Sequence, residues 1–246
     1  KQEGMSIGKL RRFAENMTFS NIFQPTFEDV MKGFELKGKW RKEYFKNDNP
    51  IVLELGCGRG EYTVGLGKKY PEKNFIGIDW KGARLWRGCK KATEDKMDNV
   101  AFVRTETELI EYIFAQDEVD EIWITFPEPQ PQNAKAKKRF TSPQYNRRYA
   151  NVLSKNGIIH LKTDNTPFYE YTLDVIKESE HSLLLSTPDL YLEMPDSEVA
   201  EIQTFYENMW LSQGLKIKYL QYRLSDSYYE NRGEITTVIK LEDKKY

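Results

Sequence analysis

The chain has 246 residues, enough for one large domain or two small ones. It is 39% hydrophobic and 30% charged with a net charge of −1, so it can bury a sizeable core and is not a protein that coats nucleic acid indiscriminately. No run approaches the roughly 18 apolar residues of a membrane span, the polar start lacks a secretory apolar core, and Cys57, Cys89, His160 and His181 share no metal-type spacing, so we expect a cytoplasmic protein with free thiols and no metal.

Residues 1–47 read as a basic and aromatic arm. Within it "GKLRRFAEN" suits a short helix, "FQPTFEDVMKG" a loop and turn, and "LKGKWRKEYFKNDNP" an approach to the core. Asn47 to Pro50 make a strong break, and residues 48–246 read as the main domain. Strands then alternate with helical segments. "IVLELG" is a continuous apolar strand, and "RGEYTVGLGKKYP" is a helix stopped at Pro71. "NFIGIDW", "VAFVRT", "EIWITF" and "IIHLKTD" are four more strands. Between them lie the helical segments "KGARLWRGCKKATEDK", "ETELIEYIFAQ" and "SPQYNRRYANVLSKNG", the last with Gly157 as its stop. "PFYEYTLDVIKESE" is helical, and "KIKYLQYR" and "EITTVIKL" are two further strands. Five buried strands separated by helices give an α/β doubly wound, mostly parallel sheet with helices on both faces. Ligands in such sheets bind beyond the carboxyl ends of the strands, where strand order reverses.

The loop after the first strand is "ELGCGRGE". Gly56, Gly58 and Gly60 allow a tight turn and a close approach of backbone to ligand. Glu54 is a carboxylate within an apolar strand, and burial without a partner would cost several kcal/mol. It binds backbone amides of the turn, orders the loop, or meets a cationic part of the ligand. Asp79 ends the second strand, 25 residues later, where an acid can accept hydrogen bonds from ribose hydroxyls. Glu106, after the third strand, lies where an adenine edge would come. Together these residues resemble the class I S-adenosylmethionine-dependent methyltransferases. That resemblance covers residues 50–165 and implies a Rossmann-like, seven-stranded sheet whose seventh strand inserts antiparallel.

Charge is sorted along the chain. Residues 131–155 hold seven Lys/Arg and no acid, while residues 189–207 hold six acids and no base. The basic block begins within "FPEPQPQNAKAKKRF"; "LKTDN" and "TFYE" come later. These motifs, in order, resemble the tRNA (guanine-N7)-methyltransferase family, which reads F-P-D-P-W-P-K, a basic K-R-R-L ending, T-D-N after strand five, and T-x-F/Y-E near the end. The resemblance spans nearly the whole chain. It implies that Glu54, the three glycines, Asp79 and Glu106 bind S-adenosylmethionine, and that Glu128 stands near its methyl end. It implies that Asp164, Thr204, Phe205, Tyr206 and Glu207 contact the target nucleotide, and that Lys137, Lys138 and Arg139 meet tRNA phosphates. This chain departs from the pattern with Glu128 for Asp and with uncharged Gln132 for the Lys expected to bind substrate.

The chemistry suits these residue types. Guanine N7 carries an in-plane lone pair and needs no prior deprotonation. The site has to align the base and stabilise positive charge developing on it, tasks of proximity and electrostatics that fit Glu128 and Asp164 as catalytic carboxylates. The resemblance implies methylation of tRNA position 46, in the variable loop. The other readings are a same-fold methyltransferase acting on another RNA or a small molecule, and a non-catalytic tRNA-binding module. Monomer and homodimer both remain open.

Overall fold

The computed structural model describes residues 7–233. Among the described residues, eight strands form one sheet: β1 (Ile22–Phe23), β2 (Ile51–Leu55), β3 (Asn74–Asp79), β4 (Val100–Arg104), β5 (Val119–Thr125), β6 (Leu153–Thr163), β7 (Ser182–Thr187) and β8 (Lys218–Arg223). Their order is β1-β4-β3-β2-β5-β6-β8-β7. Pairing is parallel from β1 to β6, and β8 runs antiparallel to both of its neighbours.

The continuous apolar runs are explained by the two-residue period of a strand. Ile51, Leu53 and Leu55 enter one core, and Val52 enters the other. In β4, Ala101 and Val103 face the first core, while Val100 and Phe102 face the second. A strand covered on both faces cannot alternate polar with apolar residues.

The first 47 residues contribute to the first of these cores. Thr26 and Asp29 form a reciprocal cap that starts the helix Phe27–Gly33, where the sequence suggested a loop and turn. Trp40 is fully buried, donates its indole N–H to the Ile113 carbonyl at 3.2 Å, and meets Phe23 edge-on at 5.2 Å. Glu118 accepts from the backbone N–H groups of Gly38 at 2.8 Å and Trp40 at 3.1 Å. β1 adds an edge strand on β4.

Several elements differ from the sequence reading. Residues 106–116 form two short turns, Thr107–Leu109 and Ile110–Ile113, in place of a longer helix. The helix Pro143–Val152 ends at Val152, and β6 begins at once. Gly157 therefore lies within β6 and is not a helix stop. A Cβ there would come within 2.6 Å of the Leu153 side chain and 2.9 Å of the Asp120 carbonyl, so close packing requires the glycine. β1 and β7 bring the described strands to eight, against seven expected. β7 holds only a three-leucine run, Leu183 to Leu185, and is mostly exposed, so no longer apolar segment marks it. The segment "EITTVIKL" lies outside the described residues. No helix among the described residues is long and apolar enough to cross a membrane.

Strands β3 and β4 lie to one side of β2, and β5 and β6 to the other. The order reverses between β2 and β5, so the crevice over their carboxyl ends is where a ligand binds in this architecture.

Candidate functional site

The glycine turn follows β2. Gly56, Gly58 and Gly60 all have positive φ, at 66°, 55° and 69°. A Cβ on Gly58 would meet no atom within 4 Å, so that backbone faces open space. Gly60 is needed for a different reason: a Cβ there would lie 2.6 Å from the Phe102 ring. Asp79, at the end of β3, closes the turn by accepting from Gly58 N–H at 3.0 Å and Lys81 N–H at 2.8 Å. Burial raises its carboxyl above the ordinary value; those two amides and the cations of Arg84 and Lys81 work against the rise. A carboxylate has about four lone-pair sites, so acceptor capacity remains for two hydroxyls.

Glu54 sits below the turn and is 3% exposed. One oxygen accepts the hydroxyl of Thr125, at the end of β5, at 2.6 Å. The other accepts the hydroxyl of Thr63, in the helix Glu61–Lys69 that follows the turn. Two side-chain hydroxyls and the backbone of Thr63 thus hydrogen-bond to it, and it orders both loops from beneath. Burial pushes its carboxyl up to about 7, against the pull of the two hydroxyls.

Above this layer a cleft of about 270 Å³ opens. Gly56 and Asp79 form one wall, and Phe126, Pro127, Glu128 and Gln130 form the other. Phe126 and Gln130 both hold left-handed backbone, at φ 48° and 46°. Non-glycine residues in that region are strained, and such strain clusters at functional loops. Glu128 is exposed and accepts from Gln130 Nε2 at 3.2 Å. Lys138 also lines this cleft, whereas Gln132 and Lys137 are exposed outside it. Arg139 bonds to the carbonyls of Gln130 at 3.2 Å and Pro131 at 3.5 Å, and stacks on Tyr171 at 4.3 Å. Its guanidinium thereby braces the proline loop. An outer cleft of about 580 Å³ shares Trp80, Thr105 and Glu106 with the first, and Gln24 to Glu28 wall its far side.

These residues fit a nucleoside-bearing ligand. An open backbone at Gly58 suits close approach, Asp79 suits ribose hydroxyls, and Trp80 with Thr105 and Glu106 suits a base. Both histidines are buried and neither lines these clefts.

The later motif divides in two. Thr204 caps the helix Phe205–Ser212, its hydroxyl accepting from Glu207 N–H at 3.2 Å. Glu207 is fully buried and pairs with Lys162 at 2.6 Å; Tyr191 donates to the same oxygen at 2.6 Å. Burial lowers the Lys162 ammonium below its ordinary value, opposed by Glu207. Phe205 and Tyr206 are exposed on the opposite side of this anchor, at 51% and 40%. The Phe205 N–H donates to Glu61 at 2.9 Å, and Arg59 of the glycine turn lies 4.5 Å from the Phe205 ring. Asp164 lies two residues beyond Lys162, half-buried, its carbonyl accepting from Lys218 at 2.9 Å. It does not line either cleft.

Residues 48–220 match the family described as "Putative methyltransferase". A tRNA (guanine-N(7)-)-methyltransferase of Christiangramia forsetii is 54% identical over 221 residues, covering 89% of this chain and 99% of that protein. The chain belongs to the tRNA (guanine-N7)-methyltransferase family. Another member, from Bacteroides fragilis, is 48% identical, covering 89% of this chain and 87% of that protein. Among solved structures, the 16S rRNA methyltransferase KamB superposes with a TM-score of 0.58 at 16% identity, over 76% of this chain and 92% of that one, a likeness of fold. The tRNA (guanine-N7)-methyltransferase family motifs thus map onto two kinds of position here. Glu54, Thr204 and Glu207 hold the frame, while Gly58, Asp79, Glu128, Phe205 and Tyr206 reach surface that a ligand can touch. Sequence reading missed Thr63, Thr125 and Lys162, because a hydroxyl or ammonium pointing at a buried acid leaves no local pattern.

A folded-state carboxyl raised from 4.5 to about 7 contributes stability that is full below pH 4.5 and is lost as pH rises through about 7. Relative to Glu54→Gln, the natural chain should lose up to about 3 kcal/mol of unfolding free energy across that window. Urea titrations at a series of pH values check this. A difference between the two proteins that does not vary with pH would show that Glu54 ionises as freely in the fold as out of it.

Proposed function

We propose that this chain transfers a methyl group from S-adenosylmethionine to N7 of a guanine in tRNA, with position 46 of the variable loop as the target. One observation carries the reading: a single cleft at the strand switch point has the glycine turn and Asp79 on one wall and the strained Phe126–Gln130 loop on the other. Family membership supports the reaction class. When bound, S-adenosylmethionine supplies an electrophilic methyl on a sulfonium, which a guanine N7 lone pair can accept without a general base.

The chain's residues then have four tasks. Asp79 holds ribose hydroxyls, and Trp80, Thr105 and Glu106 flank the adenine. Glu128 stabilises the positive charge that develops on the guanine, an electrostatic effect strengthened in a partly desolvated cleft. Asp164, beside the anchored 204–207 segment, accepts from the guanine's N–H groups. Lys137, outside the cleft, and Lys138, on its lining, hold tRNA phosphates, where contacts position the RNA without reading its sequence.

Incubation with labelled S-adenosylmethionine and unmodified bulk tRNA, followed by nucleoside mass spectrometry, should give 7-methylguanosine; label in any other nucleoside would overturn the substrate assignment. Asp79→Ala should raise the dissociation constant for S-adenosylmethionine about tenfold to a hundredfold, the worth of a charge-assisted hydrogen bond. Unchanged affinity by isothermal titration would remove Asp79 from the cofactor site.

A further inference from the structure

A second pocket, of about 220 Å³, lies beside the cofactor cleft and shares Arg84 with it. Four arginines converge there: Arg12, Arg59, Arg84 and Arg87. Trp86 and Tyr206 supply its aromatic surface. We propose that these guanidinium groups seat backbone phosphates of the bound RNA on the side of the cleft away from Lys137 and Lys138. The proposal rests on the tRNA reading above and assigns a phosphate-binding surface that the basic 131–155 block does not predict.

The pocket is built by local structure. Arg84 and Arg87 are three residues apart in the helix Gly82–Glu94, so they share a face. The helix Ile7–Asn16 brings Arg12 alongside. It is fastened by Asn16, which donates to the Gly82 carbonyl at 2.9 Å, and by Glu15, which accepts from the Trp86 indole at 2.8 Å. Arg12 stacks over Trp86 at 5.0 Å. Arg59 projects from the glycine turn and is held by the rings of Phe205 at 4.5 Å and Tyr206 at 5.6 Å.

No ion pair forms at any of the four among the described residues. Of the nearby acids, Glu15 is committed to Trp86 and Lys90, and Asp79 accepts two backbone amides while facing Arg84. Four like charges on a small concave surface repel one another, in a chain whose net charge is only −1. An anion relieves that repulsion. Guanidinium forks match phosphate oxygens in pairs. Exposed aromatic rings beside them suit ribose or an unstacked base. Arg84 makes the seat continuous with the cofactor cleft. A phosphate grip made partly by residues 7–16 also gives the early helix a role in substrate binding.

The test uses Arg12→Gln/Arg87→Gln, which spares Arg84 of the cofactor cleft and Arg59 of the glycine turn. Titration with an unmodified tRNA transcript should show affinity weakened about tenfold or more. The slope of log affinity against log salt should fall by about one to two. S-adenosylmethionine affinity should stay at the natural value, and Arg12→Lys/Arg87→Lys should recover the salt slope. Unchanged tRNA affinity and slope would overturn the proposal. A matching loss of S-adenosylmethionine affinity would also overturn it, by assigning the pocket to the cofactor's carboxylate. If the natural chain forms no 7-methylguanosine, the reaction assigned above falls, while an arginine-dependent tRNA affinity would still uphold the phosphate seat.

Discussion

The buried carboxylate of Glu54 is the interaction on which the rest of the site depends. It stands at the sheet's switch point, where β2 meets β5, and takes one hydroxyl from each side. Thr63 belongs to the helix that leaves the glycine turn, and Thr125 immediately precedes the Phe126–Gln130 loop. A single side chain thus ties the glycine turn to the Phe126–Gln130 loop. Burial without these partners would cost several kcal/mol, so the two hydroxyls are required by the same physics that makes the carboxylate useful.

A second buried pair extends the frame. Lys162 and Glu207 have no exposed side-chain surface, and removing one partner of such a pair leaves an uncompensated charge, at roughly 3–5 kcal/mol. The pair ties the helix Phe205–Ser212 to β6, close to Asp164. Glu61 and Arg59 then join the start of that helix to the glycine turn. Segments separated by more than 140 residues are in this way held as one surface around the cleft. Preorganisation of this kind suits a reaction whose barrier is lowered by alignment and charge placement rather than by proton transfer.

Much of the fold was legible in the sequence, for a physical reason. Strands buried on both faces must be apolar throughout, so "IVLELG", "NFIGIDW" and "VAFVRT" mark themselves. β7 did not, because its apolar run is only three leucines long on a short, mostly exposed edge strand. Gly157 misled because a glycine needed for close packing looks the same in sequence as one needed for a helix stop. In the site, the turn at Gly58 was legible because few residue types hold that backbone, and Asp79 stands out as an acid ending an apolar strand. Glu207 was not: an acid in a motif reads alike whether it faces a nucleotide or a buried lysine, and only depth separates the two. The arginine pocket was illegible because its members come from three distant segments, although Arg84 and Arg87 at helical spacing were a partial signal.

Through its two hydroxyl partners, Glu54 makes the glycine turn and the Phe126–Gln130 loop one mechanical unit. The most direct measurement is the S-adenosylmethionine affinity of Thr125→Val, a change on the substrate-loop side that touches neither the glycine turn nor Asp79. The account predicts a several-fold rise in the dissociation constant, about the worth of one hydrogen bond, because Glu54 loses one of its two anchors and the glycine turn loosens with it. An affinity equal to that of the natural chain would contradict the account, and would mean that the two loops are held independently.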